Sequence, residues 1–254
     1  MRPMSRIIAL LACAALLLAA CGGDKQAKNE DLPEAQSLLE ESADQIQNAQ
    51  TIEVEMNVSG YPVRVEPKGV ELPAEFPLFF KYARGVFQSP DRLSATIQFS
   101  LGVLSTTADL IALDHNHFFR GDLLTASQWI NAELIPGFSP AALKARPGGV
   151  AYMLASISDL EMVGQEDLDG LDVFHVRGTV PAKALVALTF GLIRTTAGEL
   201  QVDVYIQASN RQVALIKVTD PPPPGKEDSD ATIWTINFMS FNQDVSISAP
   251  PMDR

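Results

Sequence analysis

Cys21 is the residue of this 254-residue chain whose type and setting carry the clearest chemistry. It follows Leu18-Ala19-Ala20 and precedes Gly22, at the end of an apolar run from Ile7 to Leu18 led by Arg2 and Arg6. A thiol so placed can accept a diacylglyceryl group, and the small residues before it fit a processing peptidase. The apolar run is shorter than the roughly 20 residues that a spanning helix requires. Positive charge, a short apolar core and small residues before a break mark a cleaved signal peptide. A free cysteine beside an ordinary cleavage site is the blander alternative.

The run Leu18-Ala19-Ala20-Cys21-Gly22 resembles the bacterial lipobox. Residues 1–20 are therefore expected to be a cleaved signal peptide and 21–31 a lipidated, flexible polar linker, with 32–254 a single domain. Two acyl chains on Cys21, palmitate among them, joined by a third on the new amino terminus, give stable anchoring where one chain binds only reversibly. The expected location is extracytoplasmic, anchored to the cell membrane.

Other reactive side chains are few. Cys13 lies in the discarded segment, which leaves the mature domain without a disulfide, a thiolate metal site or a cysteine nucleophile. His115 and His117 form an i, i+2 pair in an expected hairpin, where solvated turn histidines are the favoured reading over a metal site lacking a third ligand. His175 alternates with Phe174 and Val176 in an expected strand. Glu166 and Asp169 bracket a turn, where carboxylates serve local hydrogen bonding more often than glycoside chemistry. The chain holds no G-x-S-x-G, H-E-x-x-H or phosphate-loop motif. No enzyme activity, cofactor or metal is expected.

Charge limits the partners. Loss of Arg2 and Arg6 with the signal peptide takes two positive charges from a net −12 and leaves −14. Such a surface repels phosphates, so nucleic acid is excluded and membrane association must come from the anchor.

Periodicity supplies the elements. Leu38, Leu39, Ala43, Ile46 and Ala49 recur at helical spacing within an expected helix over 32–50. From Thr51 the period becomes two, giving a strand over 52–58. Further strands are expected at 79–87, 92–101, 104–113 and 117–120, extended through Trp129 and Ile130, then at 160–163, 172–177, 199–207, 212–219 and 231–241. A Pro/Gly-rich loop is expected over 66–77, two short helical patterns over 140–158, and a helix from Pro181 through Ile193. Long antiparallel runs with segregated helices indicate an α+β domain.

That last helix is apolar on more than the stripe a surface helix needs. Phe99, Leu101, Ile111, Leu113, Phe118 and Phe119 add bulky groups on neighbouring strands. These residues suit an ordinary packed core, or a cavity between sheet and helices lined for acyl chains.

The segment Ala145 to Leu185 resembles the LppX/LprG (LppX_LprAFG) lipoproteins of mycobacteria and their relatives. The resemblance lies in Pro147, Gly149, Leu154, Gly164, Glu166, Asp169-Gly170, Val176, Gly178-Thr179-Val180-Pro181-Ala182 and Leu185. The helix-then-strand opening at 34–58, Trp129, Val204-Tyr205-Ile206 and the ending at 245–250 extend it from about Pro33 to Pro251. The 66–77 insert and the acidic four-proline loop at 221–230 depart from it. The resemblance implies a curved antiparallel half-barrel sheet whose concave face is capped by helices, enclosing a hydrophobic cavity. It also implies carriage of acylated lipids or glycolipids across the envelope, with a membrane lipid exporter as partner. Candidate cavity-lining residues are Phe99, Leu101, Ile111, Leu113, Met153, Leu154, Ile157, Leu185, Leu188 and Phe190. The alternative is a tethered scaffold or partner-binding lipoprotein with a solidly packed core and no lipid cargo.

Overall fold

The computed structural model describes residues 33–66, 77–132, 138–193, 195–227 and 230–252. The expected signal peptide, Cys21, the expected 21–31 linker and most of the loop expected over 66–77 lie outside the described residues. Helix α1 (Ala35–Asn48) buries Leu38, Leu39, Ser42, Ala43 and Ile46 along one side. The strands β1 (Thr51–Ser59), β2 (Val63–Val65), β3 (Leu78–Gln88), β4 (Arg92–Leu101), β5 (Leu104–Leu113), β6 (Asn116–Arg120) and, after the one-turn α2 (Asp122–Thr125), β7 (Ile130–Asn131) follow. A 3-10 turn (Pro140–Lys144) and α3 (Val150–Ala155) lead to β8 (Ser158–Leu168) and β9 (Leu171–Pro181). The described chain closes with β10 (Glu199–Gln207), β11 (Val213–Asp220) and β12 (Thr232–Phe241). Among the described residues no helix is long and apolar enough to cross a membrane.

The strands form one open antiparallel sheet in the order β7-β6-β5-β4-β3-β1-β12-β11-β10-β9-β8, with β2 added on β3. Consecutive strands pair except β1 with β2 and β7 with β8, the last two lying at opposite edges, and β1 meets β12 at the centre. This is the expected α+β class: a large open antiparallel sheet with a few helices. Register shifts at Glu53/Val54 and at Phe80/Tyr82 are bulges, which bend strands and increase their twist. The second also inverts the alternation. Leu78 and Phe80 point inward before it, Ala83, Gly85 and Phe87 after it.

Two expected elements differ. The turn read at 166–170 is only Asp169-Gly170, because β8 and β9 run to Leu168 and from Leu171. Both residues have positive φ, 52° and 86°, as a two-residue hairpin with the native twist requires. The helix read over 181–193 is a 3-10 turn, Ala182–Leu185, followed by further turns. Gly191 N–H bonds Val186 O and Phe190 N–H bonds Ala187 O, the pairing that ends a helix. Its all-round hydrophobicity reflects burial of Ala184, Leu185, Ala187 and Leu188 rather than helix length.

The half of the sheet from β8 to β11 is solidly packed on β9, β10 and β11, while β8 buries no side chain. Val176, Val180, Val202, Val204, Ile206, Ile216 and Val218 are fully buried. Gly178 belongs to this half, and a Cβ there would stand 2.5 Å from Ile157 Cγ2 and 2.6 Å from Ser158 O. Gly178→Ala is expected to cost about 1–3 kcal/mol by overpacking, measured as a lower denaturant midpoint. An unchanged midpoint would mean that β8 yields without penalty.

Candidate functional site

The other half of the sheet is not filled. Two apolar hollows of about 70 Å³ each lie between it and the covering segments. The floor of the first is Ile52, Val54 and Met56 of β1, Ala83, Gly85 and Phe87 of β3, Leu93 and Ala95 of β4, and Phe238 of β12. Its roof is Ile46 of α1, Leu143 and Lys144, Val150 of α3, Leu188 and Phe190. The second runs outward along β3 and β4 past Phe80, Ile97 and Phe99, with Val65, Leu110, Phe119, Leu124 and Leu192 around it. Ala83, Leu93, Ala95 and Phe190 line both.

Small side chains make this space. Gly85 pairs with Ala95 across β3 and β4, and Ala83 pairs with Ile97. The inward residues of β5 are Thr106, Ala108, Leu110 and Ala112. Lys144 is the charged side chain of the first hollow among the described residues. Its ammonium donates to Ala49 O at 2.6 Å, where a cation suits the end of α1, and burial pushes its pKa down.

Phe190 stands between the hollows with φ 53°, in the left-handed region that an aromatic residue rarely adopts. It occupies the position just past a helical turn where glycine is usual. The conformation costs about 1–2 kcal/mol and aims the ring at the junction, edge-on to Phe138 at 5.1 Å. Strain of this kind concentrates at functional sites.

The sequence-derived candidates separate into three groups. Phe99, Leu188 and Phe190 line the hollows. Met153, Leu154, Ile157 and Leu185 are buried in the covering layer without reaching either hollow, whereas Val150 of α3 does. Ile111 and Leu113 correct the parity: the inward residues of β5 are the even ones, so these two face the other side. Leu101 is half-buried at the end of β4, paired with Leu78, and lines neither hollow. Bulk was a misleading guide, because the hollow exists where side chains are small. The signal that would have found it is Ala83-x-Gly85 facing Ala95.

Of the three histidines, His117 departs from expectation. His115 is solvated, but His117 is buried and donates from Nε2 to Phe138 O at 3.1 Å. It holds the aromatic roof, and the alternating strand, not the turn, decided its burial. His175 Nε2 donates to Asp203 Oδ1 at 2.8 Å and its Nδ1 lies 3.0 Å from Glu166. Asp167, not Asp169, holds the adjacent turn, accepting from Gly170 N–H at 2.9 Å. Among the described residues no group of three or more such side chains is placed to hold a metal ion.

Beyond Leu192 the lining turns polar. A pocket of about 370 Å³ opens among Tyr61, Pro62, Val63, Arg64, Leu192, Thr195, Thr196, Asp220 and Pro221–Pro224. Burial pushes the Asp220 carboxyl up, with a hydrogen bond from Thr195 opposing it. An elevated carboxyl pKa carries no penalty below the unfolded value, and a growing one as pH rises through the folded value. Asp220→Asn is therefore expected to raise the thermal midpoint at neutral pH, the gain vanishing in acid below the usual carboxylate range. An equal gain at both pH values would contradict this.

Comparison with known proteins follows this geometry. The LppX_LprAFG lipoprotein family model matches residues 34–247. A Mycolicibacterium smegmatis protein named lipoarabinomannan carrier protein LprG is 26% identical, over 96% of this chain and 94% of that one. Its Mycobacterium bovis namesake is 23% identical over 70% of each chain. The crystal structure of LprF from Mycobacterium bovis superposes with a TM-score of 0.61 at 15% identity, covering 86% of this chain and 98% of that one. LppX of Mycobacterium tuberculosis gives 0.55 at 16% identity, covering 84% and 98%. The two crystal structures bear on the fold.

Proposed function

This chain belongs to the LppX_LprAFG lipoprotein family, and on that premise we propose that it is a membrane-anchored carrier of acylated lipids or glycolipids in the cell envelope. The observation that carries the reading is the pair of hollows meeting at Phe190, whose lining among the described residues is apolar apart from Lys144. Acyl chains bind by accumulated apolar contact, each buried methylene contributing about 0.8 kcal/mol, so such a lining needs few polar groups. Relatives named as lipoarabinomannan carriers support the same reading.

Residues 1–20 would be removed and Cys21 acylated, holding an acidic domain beside the bilayer from which it loads. At about 70 Å³ each the hollows are narrow, so loading a long chain requires displacement of the roof. Phe190, which lines both hollows, is the group whose movement would join them. A membrane exporter would then present or receive the lipid.

The test is native mass spectrometry of the chain carrying Cys21→Ser, purified after exposure to envelope lipids. Retained acylated lipid is expected. Protein that stays free of lipid while the roof stays closed would favour the tethered scaffold instead.

A further inference from the structure

The polar pocket and the outer hollow share Leu192 and strand β2, which gives Val63 and Arg64 to the pocket and Val65 to the hollow. The apolar hollow and a chamber of different chemistry thus adjoin at Leu192 and β2. Among the described residues two buried side-chain polar atoms have no hydrogen-bond partner, Asp220 Oδ1 and Trp234 Nε1. Their residues are diagonal neighbours across β11 and β12, and of the two only Asp220 lines the pocket. Asp220 pairs with Thr232 and Val218 with Trp234, and residues two apart on a strand share a face. One is an acceptor and the other a donor. A buried polar atom left without a partner costs free energy and calls for an explanation. A hydroxyl group donates, so it complements Asp220 Oδ1.

The charges argue against a phosphate. Asp220 brings a carboxylate to the wall, and Arg64, the cation among the described lining residues, lies 3.5 Å from Glu66. Thr195 and Thr196 add hydroxyls, and the rings of Pro221–Pro224 add a stiff apolar surface suited to the C–H faces of a polyol.

We propose that this chamber is a headgroup subsite for neutral polyhydroxy lipids, in which Asp220 accepts a headgroup hydroxyl while the acyl chain passes Leu192 into the apolar hollows. The subsite rests on the carrier reading above. It gives that reading a polar selectivity, for uncharged glycerol or sugar hydroxyls over phosphate.

The experiment measures displacement of a fluorescent fatty acid from the chain carrying Cys21→Ser. Four probes share one palmitoyl chain: monopalmitoylglycerol, a palmitoyl glucoside, palmitoyl lysophosphatidate and methyl palmitate. At least one polyol probe is expected to bind about tenfold more tightly than methyl palmitate, as a hydrogen bond to a charged acceptor implies. Which of the two prevails identifies the source of the hydroxyls. Asp220→Ala is expected to erase that preference and leave methyl palmitate affinity unchanged. Asp220→Asn, which keeps an acceptor oxygen, is expected to retain part of it. Equal binding of all four probes, tighter binding of the lysophosphatidate, or a preference that survives Asp220→Ala overturns the subsite and leaves the carrier reading standing. If no probe binds, both fall.

Discussion

Replacing Ala83 and Ala95 together with leucine is expected to weaken acyl-chain binding about a hundredfold. Both residues line both hollows, on neighbouring strands. The added isobutyl groups would occupy space that three or four methylenes of a ligand otherwise take. At about 0.8 kcal/mol per methylene the loss is roughly 2.5–3 kcal/mol, or two decades in the dissociation constant. The fold should not suffer, because the new side chains enter space that is unfilled rather than packed, and they bury apolar area. Titration with a fluorescent fatty acid measures the affinity, and a thermal melt run in parallel reads the fold. Undiminished affinity in a folded double variant would place the ligand elsewhere and remove the basis of the carrier proposal.

Asp203→Ala should lower the unfolding free energy by about 2–4 kcal/mol, without a matching loss of lipid affinity at 25 °C. Asp203 is 5% exposed, and its Oδ1 accepts from both His175 Nε2 and Arg177 Nε at 2.8 Å. His175 is buried too and stacks on Tyr205 at 4.3 Å. Removing the shared acceptor leaves the imidazole and the guanidinium beside each other without it, and breaking a buried ionic pair from one side is costly. Arg177 is partly exposed and water can replace its lost bond, which puts the estimate below the full cost of a buried pair. The network sits on β9 and β10, which contribute no side chain to either hollow. Chemical denaturation measures the first effect and fatty-acid titration the second. A loss below about 0.5 kcal/mol would show that the network is a solvated surface feature, and a large fall in affinity would couple it to the site.

Much of the architecture was legible in the residues. The alternation over β1, β4, β5 and β10–β12 located those strands to within a residue or two, because a half-buried strand writes its two faces into consecutive positions. Helix α1 was legible from its apolar spacing. The run Gly178-Thr179-Val180-Pro181-Ala182 drew attention to a glycine whose reason, the close approach of Ile157 and Ser158, only the folded chain displays.

The site was much less legible. A bulge at Phe80/Tyr82 inverts the inward parity of β3 halfway along, so a strict period of two misassigns one end of the strand. The 182–193 segment carries the hydrophobicity of a buried helix, yet a left-handed residue at Phe190 stops it and places the ring at the junction of two hollows. Ile111 and Leu113 are large and apolar and face away, while Ala83, Gly85 and Ala95 are small and make the space.

Local pattern was sufficient for whatever depends on neighbouring residues, as in the strand periods and the apolar spacing of α1. Tertiary structure decided whatever depends on residues far apart in the chain. An empty volume is the difference between the space among several strands and a roof and the side chains that enter it. The unpartnered Asp220 Oδ1 lies near the unpartnered Trp234 Nε1 only once β11 and β12 are side by side. No window of sequence contains either quantity, because each is a sum over contacts that the fold creates.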